Sequence, residues 1–119
     1  MGHGLQAYEF DVLSVLRRSG EPFERTAGEL ATRTHVTSGT MTSRLDRLAA
    51  RDFVTRHQDP SDGRLVRVRL TKAGRQRVDA AFAQLVRSES ELLEAVSGAR
   101  RTELADALRS LLQAAKTAE

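Results

Sequence analysis

The chain has 119 residues, of which 39% are hydrophobic and 29% charged, with a net charge of +3 and no cysteine. These values are ordinary for one globular domain, or for one domain with a helical extension, and they exclude disulfides and thiolate metal sites. No apolar run approaches the length of a membrane-spanning helix, and the N-terminus lacks the basic and apolar stretches of a signal peptide. We therefore expect a cytoplasmic protein with no membrane partner.

The positive charge is concentrated in the middle of the chain. Residues 33–76 contain ten lysines and arginines against four acids, a net charge of +6, whereas residues 77–119 contain six against seven. This distribution is typical of a polyanion-binding face beside a separate assembly region. The same arginines are equally compatible with a solvated surface, so charge alone does not decide between the two.

Two helices are predicted in the first part of the chain. Apolar residues at helical spacing predict a helix over residues 8–18, which ends at Gly20. Thr26 and Glu29 then have the spacing of a capping box, which predicts a short helix over about 27–34.

A third helix is predicted over about 38–50, after Thr37, whose hydroxyl can cap the first turn. Its apolar stripe is narrow and consists of Met41, Leu45 and Leu48. Its opposite face consists of Gly39, Thr40, Ser43, Asp46 and Arg47, with Thr42 on the flank. A helix selected only for solubility more often carries Glu/Lys pairs there. The short polar residues therefore predict close approach of the helix backbone to a binding partner.

A β-hairpin with a basic edge follows this helix. Residues 53–57 predict a strand, and the turn residues of 59–63 lead to a tip that carries Arg64. Strict alternation over 65–70 predicts a second strand. One predicted face consists of Val66, Val68 and Leu70, and the other of Arg67 and Arg69.

Two long amphipathic helices complete the chain. They are predicted over about 72–96, capped by Thr71, and over about 100–116, with a break at Ser97-Gly98. Their apolar stripes consist of Val78, Phe82, Leu85, Val86, Leu92, Leu93 and Val96, and of Leu104, Leu108, Leu111 and Leu112. A domain this small cannot cover both stripes, so the most direct partner is a second copy of the chain.

The order of these elements predicts the fold class and the partner. We expect a mainly α protein with a small β-hairpin wing (α+β), that is, a winged helix-turn-helix followed by two dimerisation helices. A polar-faced helix fits the major groove of double-stranded DNA, and a hairpin arginine fits the minor groove. Ser38, in the first turn of the third helix, can reach a phosphate there.

Three ordered motifs resemble those of the MarR family (multiple antibiotic resistance regulators). They lie at residues 37–48, 59–64 and 68–74, and the resemblance extends from about residue 5 to the end of the chain. It implies a winged helix-turn-helix domain over 1–76 and a helical dimerisation region over 77–119. It further implies a homodimer that binds a pseudo-palindromic operator, often represses a neighbouring gene, and releases DNA on binding a small phenolic or other aromatic ligand.

The resemblance also assigns site residues. By position, the DNA contacts of the family correspond to Thr37, Thr40, Thr42, Ser43, Arg47 and the wing-tip Arg64. Asp62 corresponds to the acid that supports the wing, and we interpret Arg67 and Arg69 as wing-support and phosphate-proximal charges. The competing interpretation is that Arg47 pairs with Asp46 or Asp52, and that Asp62 and Arg64 only hold the turn.

Two positions depart from the family pattern. The family begins with an additional helix that completes the dimer and lines the ligand cleft, and most of it is absent before Tyr8. Three explanations are open: the sequence has been trimmed, its start has been assigned too late, or the protein is a variant that dimerises through residues 72–116 alone. The family commonly has glycine where this chain has Asp52, and an aspartate there can adopt the same left-handed backbone.

Other classes of function receive less support. The missing helix leaves open a winged-helix protein-interaction module with weak or no specific DNA binding. We expect no enzyme and no cofactor, because Ser38 and Ser43 have no neighbouring base of the kind that activates a nucleophile. We expect no metal, because the spacing of the three histidines lacks a ligand pattern.

Overall fold

A computed structural model describes residues 4–95 and 98–117 of the chain. Its elements are α1 (Ala7–Arg18), β1 (Glu24–Thr26), α2 (Ala27–Arg33), α3 (Ser38–Ala50), β2 (Val54–Gln58), β3 (Val66–Leu70), α4 (Lys72–Glu94) and α5 (Gly98–Thr117). The chain divides into two compact units, with the boundary between Ala81 and Phe82 inside α4. The predicted stripe position Val96 and the predicted break residue Ser97 lie outside the described residues.

The predicted apolar stripes form the core of the first unit. The most deeply buried side chains are Leu5, Val12, Leu13, Leu16, Leu30, Met41, Leu45, Leu48 and Val68. Each such side chain stabilises the fold by about 1.5–3 kcal/mol relative to leaving it exposed. The stripe predicted for the third helix is confirmed, and its burial turns the polar face of α3 outward.

Local signals place the helix ends. The Thr26 hydroxyl accepts a hydrogen bond from the Glu29 amide at 3.1 Å, and the Glu29 carboxylate accepts one from the Thr26 amide at 3.0 Å. Thr37 likewise accepts from the Thr40 amide, at 3.2 Å. Gly20 and Asp52 have φ angles of 76° and 60°, the left-handed conformation that ends a helix. The expected role of Asp52 is therefore confirmed.

The sheet has three antiparallel strands in the order β1-β3-β2, one more than the predicted hairpin. The sequence analysis missed β1 because three polar residues carry no alternation signal, and the strand exists only through its pairing with β3. Val66, Val68 and Leu70 share one face of β3, as predicted. Val68 and Leu70 are buried there, whereas Val66 pairs with Gln58 far along the hairpin and is 38% exposed.

Strand register separates the side chains of the sheet onto two faces, because directly opposed residues of an antiparallel pair share a face. Arg56 opposes the buried Val68 and therefore lies on the core side of the sheet. Glu24 opposes Arg69, and His57 opposes Arg67, on the other face.

The second unit consists of the end of α4 and the whole of α5. Gly98, predicted as part of a break, instead begins α5. Arg109 on α5 lies 3.9 Å from a carboxylate oxygen of Glu89 on α4. The exposed large apolar side chains of this unit are Phe82, Leu85, Val86, Leu92, Leu111 and Leu112.

Candidate nucleic-acid interface

The hydroxyl groups on the outer face of α3 differ in the hydrogen bonds that they form within the protein. The Thr37 hydroxyl caps the helix and donates to the Thr40 hydroxyl at 3.0 Å, so these two side chains are fixed as a pair. The Thr42 hydroxyl donates to the Ser38 carbonyl at 2.9 Å, which leaves only its oxygen lone pairs and its methyl group for a partner. Ser38 and Ser43 are exposed.

Arg47 is exposed on the same face, and among the described residues it forms no ion pair. The competing interpretation paired it with Asp46 or Asp52. In the structure Asp46 instead pairs with Arg56, which reaches it from β2. The Arg47 guanidinium, with its five N–H donors, is therefore directed at solvent on the polar face of α3.

The loop between β2 and β3 is organised by Asp59. One carboxylate oxygen accepts hydrogen bonds from the amides of Ser61 at 2.7 Å and Asp62 at 3.0 Å, and the other accepts from the Arg67 guanidinium. The Arg67 hydrogen bond, followed by the two amides, lowers the pKa of Asp59 below its ordinary value. Arg67 thus ties the loop to β3 through Asp59, which was not among the predicted site residues.

The tip of the wing is a fixed aspartate–arginine pair. The Arg64 guanidinium donates to both oxygens of Asp62 at 3.0 Å, and the Arg64 amide donates to the same carboxylate at 3.1 Å. This pairing lowers the pKa of Asp62 and raises that of Arg64. The Arg64 side chain is nevertheless 90% exposed, so its remaining N–H groups face solvent at the tip.

The basic edge predicted for the hairpin is partly neutralised by Glu24 from the missed strand β1. A Glu24 oxygen lies 3.0 Å from Arg69 Nε, and the other lies 3.6 Å from Arg67 Nη1. His57 Nε2 is 3.7 Å from the same carboxylate. The outer face of the sheet therefore contributes less positive charge than the sequence of β3 indicates.

A cavity of about 510 Å³ lies elsewhere in the first unit. It is lined by Gly4, Phe53, Ala73, Gln76, Arg77 and Ala80. The guanidiniums of Arg51 and Arg77 lie 4.7 and 5.2 Å from the centre of the Phe53 ring. Arg51 is held by both carboxylate oxygens of the buried Glu9, at 2.8 Å each.

Two other features are absent from the described part of the chain. No helix there is both long and apolar enough to cross a bilayer. Residues 4–95 and 98–117 also contain no cluster of histidines and acids suited to holding a metal ion.

A sequence model of the MarR family matches residues 3–65 of the chain. The HTH-type transcriptional regulator PecS of Dickeya dadantii is 32% identical over 100 residues, which cover 84% of this chain and 60% of PecS. The chain spans between 46% and 62% of the length of the curated relatives that it matches.

Two solved structures with similar folds come from proteins that bind DNA. A cysteine-to-serine mutant of MarR from E. coli, complexed with operator DNA, has a TM-score of 0.66 and 27% identity over 92% of this chain and 76% of that one. Bordetella bronchiseptica BpsR, whose DNA binding is regulated by 6-hydroxynicotinic acid, has a TM-score of 0.64 and 27% identity, covering 91% and 75%.

Proposed function

This chain belongs to the MarR family, and on that basis we propose that it is a cytoplasmic, sequence-specific regulator of transcription that binds double-stranded DNA. The observation that carries the proposal is the outer face of α3, where exposed hydroxyls accompany an Arg47 that pairs with no described acid. Such a face offers donors and acceptors to base edges in the major groove. The operator complex of the similar E. coli protein supports the same partner.

Each site residue then has a role that follows from its local bonding. Thr40, Ser43 and Arg47 contact base edges, with Arg47 suited to the two acceptors of guanine. The remaining helix residues, Thr37, Ser38 and Thr42, contact phosphates and fix the register of α3 on the duplex. Arg64 enters the minor groove, oriented by Asp62, while Arg67 supports the wing through Asp59.

We further propose a homodimer on a pseudo-palindromic operator, most simply as a repressor. The apolar side chains exposed on the second unit support this assembly, because leucines such as Leu92 and Leu111 are more than half exposed in the single chain. Several large apolar side chains left exposed in one unit mark an interaction site. Two copies place two α3 helices on half-sites about one helical turn apart.

Release of DNA by a small phenolic or other aromatic ligand is part of the proposal. The cavity beside Phe53 supports it, because the Arg77 guanidinium among its lining residues suits the negative charge of an aromatic acid or phenolate. The regulation of BpsR by 6-hydroxynicotinic acid is of the same chemical type.

Selection from a library of random duplexes tests the function directly. We expect recovered sequences to share a pseudo-palindrome, with a Kd at least about 10³-fold below that of a random duplex at the same salt concentration. The logarithm of the binding constant should fall with that of salt concentration at about 0.9 per phosphate neutralised. Equal affinity for selected and random duplexes would contradict the proposal and favour the protein-interaction module. Repeating the selection with phenolic ligands tests release.

A further inference from the structure

We propose that Arg56 is a positioning residue of the DNA-binding face: it holds the carboxylate of Asp46 and keeps that negative charge from opposing Arg47 and the approaching phosphates. The inference rests on the proposed function. It concerns an arginine of β2 that lies outside α3 and outside the wing tip.

The register of the sheet explains how Arg56 reaches α3. Because it opposes Val68, its side chain lies on the face of the sheet that packs toward the core. From there Arg56 Nη1 reaches Asp46 Oδ1 at 2.5 Å. The neighbouring strand residues Thr55 and His57 lie on the opposite face and cannot replace it.

The charge pattern of α3 explains why the contact matters. Asp46 is the single acid between Ser38 and Ala50, and its side chain is 61% exposed on the outer face. Arg44, the other basic residue of the helix, stacks on the Tyr8 ring at 5.0 Å. Within the Debye length of about 8 Å, an unneutralised Asp46 would repel phosphates and weaken the positive potential of Arg47.

The pair is not explained by folding stability. Ion pairs between solvent-exposed side chains contribute little to the free energy of unfolding. Arg17 and Asp79 form a similar exposed pair between α1 and α4, with Nε and Oδ1 3.0 Å apart. That pair involves neither α3 nor the wing, so it provides a control of matched chemistry.

The test is a set of substitutions in the full chain, measured on a selected duplex, on a random duplex and by thermal unfolding. Arg56→Gln should weaken binding to the selected duplex by on the order of tenfold with little change in unfolding temperature. Arg56→Lys should retain most of the affinity, because it keeps the charge. The double variant Asp46→Asn with Arg56→Gln should return close to the wild-type Kd, because no carboxylate remains to be neutralised. Arg17→Gln should change the Kd by less than about twofold.

Three outcomes overturn the inference, each in a recognisable way. If the double variant binds as weakly as Arg56→Gln and the salt slope falls by about 1 per half-site, Arg56 contacts a phosphate itself. If Arg56→Gln leaves the Kd unchanged, the pair has no part in binding. If the wild-type chain itself binds selected and random duplexes equally, the proposed function fails and the inference fails with it.

Discussion

Three hydrogen bonds meet at the carboxylate of Asp59, from the amides of Ser61 and Asp62 and from the Arg67 guanidinium. The first two set the bend of the loop, and the third ties the loop to β3. The Asp62 carboxylate then orients Arg64 at the tip. The position of a single exposed arginine therefore depends on two acids in succession.

We predict that Asp59→Asn lowers the unfolding temperature at pH 7 and lowers it less at pH 3. Arg67 and the two amides hold the pKa of Asp59 below its ordinary value. The stabilisation is therefore complete above the unfolded pKa of about 3.9 and is lost as pH falls through the folded pKa. Thermal unfolding of both proteins at the two pH values measures this.

Asp11→Asn is the matched control for this prediction. Burial raises the pKa of Asp11, against the opposing effects of Arg44 and Arg18. Removing its charge should therefore not lower the unfolding temperature at pH 7. An equal loss in the two variants would show that the Asp59 bonds do not stabilise the wing.

Arg47 yields a second prediction at the scale of one residue. Arg47→Ala should reduce discrimination at one or two base pairs by about 1–3 kcal/mol. Arg47→Lys should restore overall affinity but not the base preference, because lysine lacks the planar fork of N–H donors. Competition binding on a panel of singly substituted duplexes measures both. Uniform weakening across the panel would make Arg47 a phosphate contact.

Two helical glycines have opposite surroundings in the protein: one is tightly packed and the other is open. A Cβ on Gly74, in the first turn of α4, would lie 2.2 Å from the Phe53 carbonyl oxygen and 2.9 Å from Leu70 Cδ1. The close approach of α4 to the end of the sheet therefore requires a glycine. A Cβ on Gly39, in the first turn of α3, would meet nothing within 4 Å in the protein.

We predict that Gly74→Ala lowers the free energy of unfolding by at least about 1–3 kcal/mol, because a backbone carbonyl must move. Gly39→Ala is the control and should leave that free energy unchanged or raise it by up to about 1 kcal/mol. It should still weaken DNA binding if the α3 backbone approaches the duplex closely. Urea unfolding and DNA titration of both variants distinguish these effects, and equal stability of the two would contradict the packing argument.

Helix starts, whose sequence signals lie within a few residues, were predictable from the sequence. Contacts between residues of different helices and strands were not. Thr26, Thr37 and Thr71 mark helix starts because a cap and its partner amide lie three residues apart. The pairing of Asp46 with Arg56 depends on the packing of a helix against a sheet, and no periodicity encodes it. The strand that carries Glu24 was missed for the same reason, and with it the pairing of Glu24 with Arg69.

At the scale of the whole molecule, the two units differ in how much of their apolar surface they bury. The first unit buries its apolar stripes, whereas the second leaves large side chains exposed, with Leu111 67% exposed. The predicted stripe of α4 is split accordingly, since Val78 is buried in the first unit and Phe82 is exposed.

We predict that Leu111→Glu produces a monomer and reduces affinity for a palindromic duplex by at least about 100-fold, because one copy engages only one half-site. The folding of the single chain should change little, since the side chain is exposed there. Sedimentation and DNA titration measure the two effects.

Ser110→Glu is the control, because it places the same charge on the side of α5 opposite the leucine stripe, and it should remain dimeric. A dimeric Leu111→Glu would exclude the stripe as the interface.

Under the proposed function, Glu24 has a consequence for how the protein searches a genome. Because it pairs with Arg69 and lies near Arg67, which Asp59 already holds, it lowers attraction to DNA of arbitrary sequence, which depends on the number of phosphates neutralised. Weaker binding to non-specific sites shortens the residence time on each of them, so the protein samples more sites in the same time. We expect Glu24→Gln to lengthen dwell times on random duplexes in single-molecule tracking, and unchanged dwell times would contradict this. An acid on a three-residue strand would then set the speed of the search rather than the choice of the target.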